Sequence, residues 1–340
     1  MLFPEACKPT KITSSTCGAS RAFSMGLPRG SSRAMCASSS IMIIVADVVF
    51  AGARTGATLF SDESGMGFME VVSPRSIISE RANELLRAGM VHLLSGALPL
   101  YVVNEFPKSG GTWVGQMLGR ALGVPFPRNR LPVLRPSIMH GHHLQPWGMK
   151  NVVVAWRDGR DVMVSWYHQQ LIPHEWNEHQ VSRARRELPL EDYNDVYGNL
   201  PAFIEYAFTR PHSPRFSWAD FVRRWHGRKG AIHVRYEDLR RDTVGELRRV
   251  VLGLTGERLS PEEATAIAEE FSFERQAGRQ PGEENKGSFL RKGVVGDWRN
   301  HFSLEARETF DRYAGDELIL LGYEQYRAWV EDAADPNASD

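Results

Sequence analysis

The stretch YVVNEFPKSGGTWVGQMLGRAL, residues 101–122, decides the architecture. YVVNE, 101–105, is a β-branched run that predicts a buried strand. TWVGQMLGRAL, 112–122, places Trp113, Met117 and Leu118, then Ala121 and Leu122, along one side of a helix. Between them FPKSGGTW, 106–113, puts two glycines at the strand-to-helix turn. Glycines there let backbone N–H groups approach an anion at a helix N-terminus, so the segment predicts strand, anion loop, helix. The Walker A order needs a lysine after the last glycine, whereas Lys108 precedes Gly110 and Gly111. A bound anion is implied, but not ATP.

Outward from this stretch the pattern repeats. NVVVAW, 151–156, predicts a second strand, followed by a helix through DVMVSWYHQ, and AIHVRY, 231–236, predicts a third. ERANELLRAGMVHLLSG, 80–96, carries Leu85, Leu86, Met90, Leu93 and Leu94 at helical spacing. WADFVRRW, 218–225, sets Trp218, Phe221, Val222 and Trp225 on a core-facing stripe. Strands alternating with helices imply an α/β single domain: a central parallel sheet of about five strands, flanked by helices, with a P-loop-like anion loop after the first strand. Ligands of such sheets gather at the carboxyl ends of the strands. From Ser260 onward the chain reads as helical apart from a glycine-rich, charged stretch at 278–298, which has the character of a lid or binding loop. The expected organisation is an N-terminal extension over 1–79, partly disordered or loosely packed, a domain over 80–330 and a C-terminal tail over 331–340.

The 41 basic and 41 acidic side chains cancel, so no global field is offered to nucleic acid or to an acidic membrane, and any anion site must be built locally. Cys7, Cys17 and Cys36 all precede residue 40, which leaves the domain without disulfides or thiolate metal ligands and fits a reducing, cytoplasmic setting. IMIIVADVVFAGA, 41–53, is too short for an ordinary membrane span and lies too far from Met1 for a usual secretory signal, so it reads as a buried strand or loosely packed extension. The serine-rich residues 1–40 read as disordered, with Met25 or Met35 as alternative starts.

Three further segments join the anion loop. WRDGRDVMVSW, 156–166, sets Arg157 at a strand end and Ser165 eight residues later; YEDL, 236–239, follows another strand; FLRKGVVGDWRNHF, 289–302, offers Arg291, Lys292 and the Gly293 N–H as a second anion clamp. Together they resemble the sulfotransferases that use 3′-phosphoadenosine 5′-phosphosulfate (PAPS), typified by the cytosolic enzymes. The resemblance covers roughly residues 100–327. The family's PKSG-T-TW signature is matched by Pro107, Lys108, Ser109, Gly110, Thr112 and Trp113, with Gly111 where threonine is usual. Arg157 and Ser165 match the second signature, and RKG-x-x-GDW-[KR]-N-x-F is matched from Arg291 to Phe302.

The resemblance implies roles. Lys108, Ser109, Gly110, Gly111 and Thr112 cradle the 5′-phosphosulfate, and Trp113 stacks on adenine. Arg157, Ser165, Arg291, Lys292 and Gly293 hold the 3′-phosphate; Tyr236 and Phe273 contact the adenine end, although Phe271 stands where the family has threonine. The reaction transfers a sulfuryl group to a hydroxyl or amine of a small-molecule, lipid or carbohydrate acceptor, leaves 3′-phosphoadenosine 5′-phosphate (PAP), and requires no metal, because Lys108 and backbone donors neutralise the leaving phosphate. The base falls in IMHGHHLQP, 138–146, where the family has a K-T-H-L-P-like stretch. This alignment makes His142 the base and puts His140 in place of the family's lysine, with His143 the alternative if the loop shifts by one.

Blander readings stand beside these. The three histidines form no recognised metal spacing, and His168 is expected to be packed rather than catalytic. Trp113 could be plain core. Arg157, Asp158, Arg160 and Asp161 taken alone resemble a solvated helix start with weak ion pairs. RRELPLEDYNDVYG, 185–198, is surface or an acceptor-side lid, and Trp147, Trp176, Tyr193, Tyr197, Phe203 and Phe208 are candidate acceptor-pocket walls. Arg299, Ser303, Leu304 and Glu308 fall on the family's dimerisation pattern, which makes a homodimer possible. Nucleic acid and a stable membrane span are not expected. Two other functions compete: an ATP-dependent small-molecule or nucleotide kinase of related fold, which the order of FPKSGGTW opposes, and a nucleotide-binding protein that has lost its base.

Overall fold

The computed structural model describes residues 77–128, 135–174 and 177–332. The expectations for residues 1–76, including the apolar run at 41–53, and for Trp176 and the last eight residues lie outside these. Strand β1 (Leu100–Glu105) leads through the anion loop into helix α2 (Gly111–Leu122), preceded by helix α1 (Ile77–Gly89) and a π-turn at Met90–Leu94. Strand β2 (Ser137–Gly141) and strand β3 (Val152–Trp156) follow, then helices α3 (Gly159–Leu171), α4 (Glu178–Glu187), α5 (Val196–Thr209) and α6 (Trp218–Trp225). Strand β4 (Ala231–Arg235) precedes α7 (Tyr236–Arg241), α8 (Thr243–Thr255), α9 (Pro261–Glu270) and α10 (Phe273–Ala277). A 3-10 turn (Asp297–Asn300), α11 (Leu304–Leu320) and α12 (Trp329–Asp332) complete the order.

The strands form an all-parallel sheet in the order β2-β1-β3-β4, four among the described residues rather than about five. The chain leaves β1 toward β2 on one side and then crosses to β3 on the other. Such a reversal of direction opens a crevice at the carboxyl ends of the flanking strands. Lys108 and Arg157 follow those two strand ends.

Every residue of β3 is buried, as a strand covered on both faces requires. Alternation divides it: Val152, Val154 and Trp156 join the core on one face, Val153 and Ala155 that on the other. Trp218, Phe221, Val222 and Trp225 are buried, as their spacing predicted. In the first helix the buried stripe is narrower than expected. Met90 is buried and Leu86 and Leu94 partly so, while Leu85 and Leu93 are exposed.

Candidate active site

At the end of β1 the chain turns sharply. Lys108 takes φ +72° and Gly110 φ +95°, a left-handed turn that leads directly into α2. Gly111 is demanded by packing rather than dihedral: a Cβ there would come within 2.6 Å of the Glu105 carboxyl carbon. The Gly111 N–H donates to Glu105 Oε2, so this donor is turned inward, beneath the loop. Ser109 is buried, and Thr112 and Trp113 are half-buried at the helix start. Trp113 packs against the core cluster on this face of the sheet. Its indole N–H donates to the Phe271 carbonyl at 2.8 Å, and its ring meets Tyr236 edge-on at 5.9 Å.

Arg157, after β3, joins the two halves of the site. Its guanidinium donates to the Lys108 carbonyl at 3.1 Å and to the Val294 carbonyl at 3.3 Å, and lies 4.5 Å from the Tyr236 ring. Its Nε is buried without a hydrogen-bond partner, one donor in reserve. Burial alone would lower its pKa, but Asp161, Tyr236, Glu237 and Asp158 raise it, so the charge is permanent. Asp161 also accepts from Gly296 N at 2.7 Å and Trp298 N at 2.9 Å, which ties the R-K-G segment to the start of α3.

On that segment Arg291 and Lys292 both reach Asp297, at 2.5 Å each, and Arg291 also donates to Glu284. Burial would raise the Asp297 carboxyl, but the nearby His301 ring and hydrogen bonds from Lys292 and Arg291 hold it well below the usual range. Gly293 has φ +66° and backs directly onto the Phe273 ring, so a side chain there would strike it. Ser165 is half-buried on α3. His168 on the same helix is buried with neither ring nitrogen hydrogen-bonded, and burial followed by Arg291 drives it down to about 3.

The histidine stretch forms β2 and the turn after it. His140 is buried, with Nε2 2.9 Å from Glu105 Oε1. His142 is exposed, with Nδ1 2.9 Å from the Glu105 carbonyl oxygen. A carbonyl only accepts, so His142 Nδ1 carries the proton and Nε2 keeps its lone pair. Desolvation, then His140, push its pKa down to about 4. His143 faces elsewhere, edge-on to His92, and its backbone N–H donates to Asn104. Glu105, His140 and His142 offer ligand atoms within 4.8 Å of one another, a spacing that could hold a metal ion. Arg87, Arg128 and Lys108 surround the group, however, and their charge favours an anion over a cation.

Several contributors carried no motif. Glu105 is one, and Phe289, whose ring lies 4.0 Å from the Lys108 ammonium, is another. Desolvation, then Arg157, bring Lys108 down to about 7. Arg160 corrects the picture of a solvated helix start: it is buried, paired with Asp158 at 2.7 Å and Glu324 at 2.5 Å, and lies over Trp298. Phe203, a candidate pocket wall, is instead core, since the buried face of α5 carries it. Phe208 stacks on Tyr313, and the Tyr193 hydroxyl is engaged with backbone carbonyls of Arg185 and Leu188.

A sequence model of the sulfotransferase domain matches residues 136–322, more than half of the chain. The chain belongs to the sulfotransferase family. The glycine turn precedes the matched span and follows β1, a strand of the same sheet. Rabbit (Oryctolagus cuniculus) amine sulfotransferase is 25% identical over 265 residues, covering 64% of this chain and 79% of the relative. Human sulfotransferase 1E1 is 27% identical over 267 residues, covering 64% and 83%. The crystal structure of mouse sulfotransferase SULT7A1 complexed with PAP matches with a TM-score of 0.51 at 19% identity, over 73% of this chain and 92% of that one, a likeness of fold. The protein is thus a PAPS-dependent sulfotransferase, and the kinase alternative is not favoured. Among the described residues no helix is long and apolar enough to cross a membrane.

Proposed function

We propose that this sulfotransferase moves the sulfuryl group of PAPS to a hydroxyl or amine of a small-molecule, lipid or carbohydrate acceptor, with His142 as general base. The observation that carries the reading is Arg157, which bonds the anion loop at Lys108 and the R-K-G segment at Val294 with one guanidinium. It supports a ligand with anionic groups at both ends. Lys108, Ser109 and the N–H groups of Gly110 and Thr112 would face the 5′-phosphosulfate, while Gly111, whose N–H is held by Glu105, serves by admitting that carboxylate. Arg157, Ser165, Arg291, Lys292 and Gly293 would take the 3′-phosphate, with Trp113, Tyr236 and Phe273 about the adenine.

In the reaction His142 Nε2 removes the acceptor proton as the acceptor oxygen or nitrogen bonds to sulfur. The bond from sulfur to the 5′-phosphate oxygen breaks, and its electron pair stays on that oxygen. Lys108 neutralises the charge that grows there, so no step calls for a metal. The name of the rabbit relative supports keeping amines among the acceptors. The same reading includes a domain over 80–330 with an extension before and a tail after it, a cytoplasmic setting, and pairing of two copies through Arg299, Ser303, Leu304 and Glu308, of which Arg299, Leu304 and Glu308 are exposed.

A thermal-shift titration with PAP, ADP and ATP plus Mg²⁺ tests it. Ligand at 100 times its Kd adds about 2.7 kcal/mol of stability. Selective stabilisation by PAP supports the reading; stabilisation by ATP with Mg²⁺ instead would sink it.

A further inference from the structure

Two departures from the family's signatures, Gly111 for threonine and His140 for lysine, meet at one side chain. The Glu105 carboxylate accepts from Gly111 N with one oxygen and contacts His140 Nε2 at 2.9 Å with the other, and its own carbonyl accepts from His142 Nδ1 at 2.9 Å. A Cβ at 111 would lie 2.6 Å from the carboxyl carbon and 2.9 Å from each oxygen, so a threonine and this carboxylate exclude one another. We propose that Glu105 is the positioning residue of this active site, its carboxylate braced by His140 and the α2 N-terminus so that its carbonyl fixes the tautomer of His142 and its charge stabilises the imidazolium formed on proton transfer. The inference rests on the reading of His142 as the base.

The geometry leaves little freedom. Glu105 and His140 are both buried, on adjacent parallel strands, and Asn104 beside them brackets the histidine turn by accepting from His143 N at 2.7 Å and donating to His143 O at 2.9 Å. Burial alone would raise the Glu105 carboxyl, but His140, His142 and the Gly111 N–H hold it below its ordinary value, so it is charged at neutral pH. The groups facing His142 are Glu105 from β1, His140 from β2, His143 from the turn and Arg87 from α1. Among these, Glu105 is the anion. Arg87 also donates to the His140 carbonyl, which fastens α1 to this edge of the site.

The positive surroundings give the carboxylate a second consequence. Lys108 and Arg128 both feel its charge, so Glu105 opposes the attraction of the loop for an anion while it assists the base. Removing the charge should therefore weaken catalysis without weakening cofactor binding. A residue of merely structural importance would do both.

The test measures kcat and KM for PAPS against pH in the wild type, Glu105→Gln and His142→Ala. For Glu105→Gln the expectation is a fall in kcat of about tenfold or more, a KM for PAPS unchanged or lower, and an acid limb moved to lower pH by about half a unit or more, because a negative neighbour raises an imidazole pKa and its loss lowers it. His142→Ala should be inactive. If His142→Ala keeps its turnover, the base assignment itself fails. An inactive His142→Ala beside a Glu105→Gln with unchanged kcat and acid limb overturns this inference alone. Turnover lost to a chelator and restored by Zn²⁺ would make the trio a metal site and also overturn it. Because buried variants can misfold, Gly111→Ala is measured by thermal unfolding in the wild-type and Glu105→Ala backgrounds. Its cost in Tm should largely vanish in the second; an equal cost in both would show that the two positions are not coupled.

Discussion

The indole N–H of Trp113 donates to the carbonyl of Phe271 at 2.8 Å, joining the start of α2 to the end of α9. The bond fixes the ring edge-on to Tyr236. Stacking on a base contributes about 1–3 kcal/mol. Trp113→Ala should therefore weaken PAP binding by about tenfold or more in calorimetric titration, whereas Trp113→Phe, which keeps a ring, should stay much closer to wild type. Equal losses from both would mean that the indole bond, not the ring face, carries the affinity.

Arg291 already holds two carboxylates, Glu284 and Asp297. Asp297 lies in the turn six residues after Arg291, while Glu284 comes from the loop before it and occupies the other side of the guanidinium. Glu284→Gln should tighten PAP binding about threefold or more by removing a competitor, as measured by titration. If Arg291 holds the 3′-phosphate as proposed, Arg291→Ala should weaken PAP binding by about 1.5–3 kcal/mol and erase most of the preference for PAP over ADP.

Lys108 is brought down to about 7 by desolvation and then by Arg157. A ligand with two phosphates favours the charged ammonium, so binding takes up a proton wherever the free lysine is neutral. PAP affinity should fall by up to tenfold per unit above about pH 7, beyond the range in which the ligand's own phosphates titrate. Lys108→Arg, whose charge does not titrate in this range, should flatten the profile. An equally steep fall in that variant would place the titrating group elsewhere.

Asp161 accepts from the backbone of Gly296 and Trp298 while fully enclosed at the start of α3. Asp161→Ala leaves the buried Trp298 N–H and the part-buried Gly296 N–H without their acceptor. Each such group costs about 1–3 kcal/mol, so the variant should lose several degrees of Tm, and its PAP affinity should fall because the R-K-G segment loses its tether. A variant with lowered Tm but intact affinity would show that the clamp is held by Arg157 alone.

The elements that were plain in the sequence are those whose signal is local. β1, α2, β3 and α6 were legible because alternation and 3.6-residue spacing depend on near neighbours. β2 was not read as a strand, since three polar or small residues in SIMHG break the apolar run; His140 can be buried there because Glu105 pairs with it from β1. Tyr236 was read into the last strand but opens α7. Arg160 was read as solvated because its stacking partners, Trp298 and Trp329, lie more than a hundred residues away.

By itself, then, the sequence determined the α/β alternation, the glycine turn after β1 and the signatures shared with the family, because these are matters of spacing along the chain. Only the tertiary structure decided what those residues touch. It gives His142 its tautomer and puts Phe289 over Lys108, contacts between residues far apart along the chain, and it closes the turn on itself by seating Glu105 beneath Gly111.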